Sequence, residues 1–120
     1  MNGTELKVTS QPLNANAGIM SLVGRLDSGN FEVLEDEVNR MIESGVNCIG
    51  IDASHLDGLS SAGLGAFANL ATLLRERKGL FMLCSPVAEV VDLVDMLGLR
   101  EMLGVTDTLD KAKAELLKPR

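Results

Sequence analysis

A chain of 120 residues with 46% apolar and 23% charged side chains has the make-up of one globular domain, with a core expected from about residue 5 to about residue 117. Its formal net charge of -6 argues against binding phosphate backbones or anionic membrane surfaces. With three Phe, no Trp and no Tyr, it has an aliphatic core and no stacking platform for bases or sugars.

Met1-Asn2-Gly3-Thr4-Glu5 has no basic segment followed by an apolar one, so no signal peptide is expected there. Glu5-Leu6-Lys7-Val8-Thr9 alternates polar and apolar residues, as a half-buried strand does. Residues 14–18 are small and polar and read as a turn, and residues 19–26 form a second strand, antiparallel to the first. Asp27-Ser28-Gly29-Asn30 offers capping groups to a helix with Phe31, Leu34, Val38, Met41 and Ile42 on one face. Glu32, Glu35, Asp36 and Glu37 suit its positive end, and Gly45 its stop.

Residues 46–51 predict a buried strand, and residues 52–59 a loop. Ser60-Ser61-Ala62-Gly63 opens a helix with Leu64, Phe67, Ala71 and Leu74 on its inner face, closed by Gly79. Leu80-Phe81-Met82-Leu83-Cys84 is another buried strand. Pro86 fits the first turn of a third helix, faced by Val87, Val90, Val91, Val94 and Leu97 and ended by Gly98. Residues 102–105 predict a short strand, and residues 107–117 a last helix facing inward with Leu109, Ala112 and Leu116. The tail, residues 118–120, is expected to fray. The order β-β-α-β-α-β-α-(β)-α implies an α/β fold: a mostly parallel sheet of four or five strands, opened by an antiparallel hairpin and covered by about four helices.

Cys48 and Cys84 lie in apolar runs without metal spacing and read as buried free thiols. No apolar stretch approaches the roughly 20 residues of a membrane span, so no insertion is expected and the cytoplasm is the default location.

His55 is the only histidine. A Ser-His-Asp set can be drawn from Ser61, His55 and Asp52 or Asp57, which would make the chain a small hydrolase. Such triads are defined by geometry, and the chain lacks G-x-S-x-G, so a solvated loop histidine is the preferred reading. One histidine and two unrelated cysteines do not make a zinc site. Gly63-Leu64-Gly65 falls short of a dinucleotide fingerprint, which needs a glycine where Ala68 stands and an acidic residue about twenty positions on. No catalytic residue, cofactor site or metal site is expected; the chain reads as a binding protein.

The remaining signal is Ile51-Asp52-Ala53-Ser54-His55-Leu56-Asp57-Gly58-Leu59-Ser60-Ser61-Ala62-Gly63-Leu64-Gly65-Ala66-Phe67. Two hydroxyls stand where a helix leaves N–H groups unpaired, and small residues beside them admit a second surface. A phosphate there would meet the positive helix end and add about two negative charges. Composition and spacing leave open whether Ser60 or Ser61 merely caps the helix.

This segment resembles the signature of the STAS domain of anti-anti-sigma factors, Asp-x-Ser-x-x-x-x-x-Asp-Ser-Ser-Gly-x-Gly. Asp52, Ser54, Ser61, Gly63 and Gly65 match it. Gly24-Arg25-Leu26-Asp27 resembles the Gly-x-Leu-Asp that ends the family's second strand. Ser85-Pro86, followed by Val87, Val90 and Leu97-Gly98-Leu99, resembles its later strand-to-helix region. The chain departs from the signature at Ser60, where Asp is common, and at Ala62, where Ser is common.

The resemblance implies a STAS-like fold over nearly the whole chain and a role as an anti-sigma factor antagonist. It implies a partner switch: the unmodified protein binds an anti-sigma factor that is also a serine kinase of the GHKL type. Phosphorylation of Ser61, with Ser60 the runner-up acceptor, breaks the complex, and a metal-dependent serine phosphatase resets it. ATP and magnesium belong to the partner. Asp27, Ser60, Ala62, Gly63 and Leu64 are expected to line the contact patch, while Asp52 and Ser54 organise the loop. The competing reading is a STAS module that works without phosphorylation, as an accessory subunit of lipid transport or a stress-sensing scaffold.

Overall fold

The computed structural model describes residues 5–119; residues 1–4, part of the stretch read for a leader, and residue 120 of the expected frayed tail lie outside them. Two strands open the chain, β1 (Leu6–Pro12) and β2 (Ala17–Leu26), followed by α1 (Phe31–Glu43), β3 (Cys48–Leu59) and α2 (Ser61–Glu76). Then come β4 (Leu80–Cys84), α3 (Ala88–Met96), β5 (Val105–Thr106) and α4 (Leu109–Leu116). The five strands lie in the order β1-β2-β3-β4-β5. β1 is antiparallel to β2, and every later pair is parallel. The expected fold class is the one observed.

Two apolar layers hold the sheet. The larger lies beneath α1, α2 and α3, and joins Met20, Leu22 and Leu26 of β2 and Ile49, Ile51 and Leu56 of β3 to Leu34, Val38, Phe67, Leu74 and Val94. Phe67 and Phe81 meet within it at 6.0 Å between ring centroids. The smaller layer lies under α4, where Ala112 and Leu116 cover Ala17, Ile19, Cys48, Met82 and Cys84. Both cysteines are free and buried. Alternation of side chains along each strand divides residues between the two layers.

Several elements differ from expectation. Residues 52–59 are not a loop but the second half of β3, which stays paired with β2 as far as Leu26 beside Leu59. Register shifts between Ser21 and Val23 and between Gly24 and Arg25 break the polar–apolar alternation there, as β-bulges do. Asp52 and Ser54 are therefore strand residues. Asp52 Oδ1 accepts from the Ser54 N–H at 3.1 Å and from its hydroxyl at 2.8 Å, while Oδ2 accepts from Ser21 Oγ at 3.5 Å. Asp52 ties β3 to β2 and Ser54 bonds back to it within β3, so the pair serves a strand and not a loop. α3 starts at Ala88, two residues past Pro86, and Leu97 beyond its end is 54% exposed instead of facing inward.

Candidate functional site

The site is assembled where the carboxyl ends of β2 and β3 meet the start of α2. Leu26 closes β2, and its carbonyl accepts the Ser60 N–H at 3.0 Å. A side chain at Gly63 would put its Cβ 2.6 Å from that same carbonyl oxygen and 2.9 Å from Leu59 Cδ1. Only a residue without a side chain lets the helix start this close to both strand ends. Gly63 is buried and Leu64 is 3% exposed, packed into the core. Their predicted place in the contact patch is therefore corrected: they position the helix from beneath.

The structure gives different roles to the two hydroxyls that composition and spacing alone do not tell apart. Ser60 is the N-cap, and its Oγ accepts the Gly63 N–H at 3.1 Å. Ser61 is the first helical residue and is exposed, and its hydroxyl has no partner among the described residues. The first backbone bond of the helix runs from the Leu64 N–H to the Ser60 carbonyl at 2.9 Å. Among the described residues, no acceptor engages the N–H groups of Ser61 or Ala62. No acidic side chain occupies the first turn, so nothing there neutralises the positive helix end.

Asp27 and Ala62 are half-buried, as is Ser60. Gly65, one helical turn from Ser61 on the same face, is exposed, and a Cβ there would meet nothing within 4 Å. Together Ser61 and Gly65 give α2 a flat exposed strip. Sequence reasoning placed Gly65 in the signature but not in the patch; its spacing of four from Ser61 was the available signal.

The turn after β2 is held from within. Asn30 is 9% exposed, the one buried polar side chain among the described residues. Its Nδ2 donates to the Arg25 carbonyl at 2.8 Å, and its Oδ1 accepts the Asp27 N–H at 2.9 Å. It stands at the N-cap of α1 yet makes no side-chain cap there, pointing back into the turn. Asp27 Oδ1 accepts the Gly29 N–H at 2.9 Å.

His55 is exposed on β3, in register with Val23, and no hydrogen bond joins it to Ser61 among the described residues. Among those residues no three of His, Cys, Asp or Glu are grouped to hold a metal ion. Buried Cys84 is held as the neutral thiol: burial, and after it the Asp52 charge, push its pKa up to about 12. No helix of the described chain is long and apolar enough to cross a membrane.

A family model described as the STAS domain matches residues 9–112. A Bordetella bronchiseptica protein that bears the name of an anti-sigma factor antagonist, BtrV, is 30% identical over 96 residues, covering 80% of this chain and 83% of the relative. Among solved structures, an anti-sigma factor antagonist from Mycobacterium paratuberculosis superposes with a TM-score of 0.86 at 19% identity over 98% of each chain. The anti-sigma factor antagonist SpoIIAA in its unphosphorylated form gives 0.78 at 19% identity, covering 91% of this chain and 95% of its own. The Bacillus SpoIIAA in its phosphorylated form gives 0.72 at 17%, covering 91% and 98%. The solved structures share the fold, and the match to the family model and to the Bordetella relative shows the lineage: the chain belongs to the STAS domain family, among the anti-sigma factor antagonists.

Proposed function

We propose that this chain is a protein-binding regulator, not an enzyme, whose complex with an anti-sigma factor is broken by a phosphate on Ser61. The unmodified protein docks through the edge formed by the turn at Asp27 and the start of α2. The partner is an anti-sigma factor that is also a serine kinase of the GHKL type, and it supplies the ATP and magnesium. In the transfer the Ser61 hydroxyl oxygen bonds to the γ-phosphorus of ATP, the bond to the bridging oxygen breaks, ADP leaves, and the hydroxyl proton is released. A metal-dependent serine phosphatase hydrolyses the phosphoserine and restores the hydroxyl.

One observation carries this reading: Ser60 takes the capping role, and the Ser61 hydroxyl is exposed, with no partner among the described residues. The names of the Bordetella relative and of SpoIIAA, the latter solved with and without phosphate, support the same direction. A dianionic group at Ser61 would bring about two charges and three acceptor oxygens to a surface that another protein must desolvate. Charge left unpaired in such a contact weakens it.

Incubation with its kinase partner and ATP is expected to add one phosphate by intact-mass measurement. Ser61→Ala abolishes the mass shift, and Ser60→Ala retains it. Phosphopeptide mapping that puts the label on Ser60 or elsewhere would contradict the assignment.

A further inference from the structure

We infer that Asn30 is a positioning residue for the docking edge, acting through the turn after β2 and not by touching the partner. This rests on the reading of Ser61 as the phosphoacceptor and extends it to what holds that serine's neighbours in place.

The Asn30 bonds lie within the turn, and two further contacts carry it to the start of α2 and the end of β3. The Asn30 side chain brackets Leu26, bonding to the Arg25 carbonyl on one side and the Asp27 N–H on the other. The Leu26 carbonyl, so fixed, accepts the Ser60 N–H at 3.0 Å and lies against Gly63. The Arg25 guanidinium covers Gly58, where an added Cβ would fall 2.8 Å from its Cζ. Asn30 thus orders the segment carrying Asp27, which the Leu26 carbonyl joins to the segment carrying Ser60 and Ser61, without reaching the surface itself.

A side chain that only needed to cap α1 would turn its oxygen toward the helix N–H groups. Asn30 instead uses both ends of its amide on the turn. Satisfied from both ends, a buried amide allows one arrangement of the turn, and a partner meets an edge already ordered. Without it the turn samples other conformations, and the partner must order it on binding.

The test compares wild type with Asn30→Asp, which keeps an acceptor for the Asp27 N–H and suits a helix N-terminus but cannot donate to the Arg25 carbonyl. With its kinase partner and ATP, the variant is expected to be phosphorylated on Ser61 with KM raised about tenfold, the size expected for one lost buried hydrogen bond, and kcat within about twofold. Amide exchange at Asp27 and Ser60 is expected to quicken while amides of the β3 core stay protected. An unchanged KM with unchanged exchange, or a loss confined to kcat, would overturn the inference. Wild type alone provides a second check, because an Asp27 amide exchanging at the rate of an unstructured peptide would also overturn it. If wild type is never phosphorylated on Ser61, the underlying reading fails, and the exchange data still decide whether Asn30 holds the turn.

Discussion

Gly63 is the residue on which the site's geometry turns. The carbonyl of Leu26 and the side chains of Leu26 and Leu59 already occupy the space a methyl group would need, at 2.6 to 2.9 Å. Gly63→Ala gains helix propensity but must push α2 off the strand ends, an overpacking cost of about 1–3 kcal/mol. Urea unfolding should show that loss, and crystallography of the variant should show Ser60 moved away from Leu26. Of the site residues, the serine pair, Asp27 and the glycine were legible in the amino-acid pattern. The resemblance favours Ser61 as the outward serine, but spacing alone does not, because either can cap a helix and only the position of the first turn against Leu26 decides. Nor could the pattern show Gly63 turning inward: the small residues of a docking strip and those of a tight helix–strand contact look alike in sequence.

Among the elements, α2 shows both what periodicity reveals and what it misses. Its inner face of Leu64, Phe67, Ala71 and Leu74 is buried as the spacing predicts. Its end is different from the expected glycine stop. Lys78, not Gly79, takes the left-handed conformation, at φ 61°, while the Gly79 N–H returns to the Leu74 carbonyl at 2.7 Å. Gly79 is needed for another reason: a Cβ there would run into the Asn47 carbonyl oxygen. A β-carbon at a left-handed position costs about 1 kcal/mol, so Lys78→Gly is expected to raise stability by about that much, read as a higher denaturant midpoint at unchanged slope. β3 was half legible. Its apolar first half is plain in the sequence, but Asp52, Ser54, His55 and Asp57 carry loop chemistry, and the bulges against β2 disguise the alternation that would have marked the rest as strand.

The packing of α4 on β4 makes stability depend on pH. Cys84 ionises near 9.0 in its ordinary state and near 12 when buried beneath α4. Between those values the unfolded chain gives up a proton that the folded one keeps, so stability must fall as pH rises from about 9 to about 12 and be independent of this group below 9. Cys84→Ala should flatten that part of a stability–pH curve measured by urea unfolding. An equally steep fall in the variant would show that another group governs the alkaline limb.

For the molecule as a whole, the arrangement divides the work. Two apolar layers fix the sheet, and the exposed edge at the start of α2 is left free of core duty. The chain already carries a net charge of -6, and a phosphoserine would make it more acidic still. Long-range charge is screened within about 8 Å at physiological salt, so the effect of that phosphate must be exerted at the contact itself. The most direct measurement is therefore titration calorimetry of the anti-sigma factor partner with unmodified and Ser61-phosphorylated protein at physiological ionic strength. Phosphorylation is expected to lower affinity at least about tenfold, since unpaired charge at a desolvated contact costs more than the 1.4 kcal/mol that a factor of ten represents. Equal affinity of the two forms would contradict it.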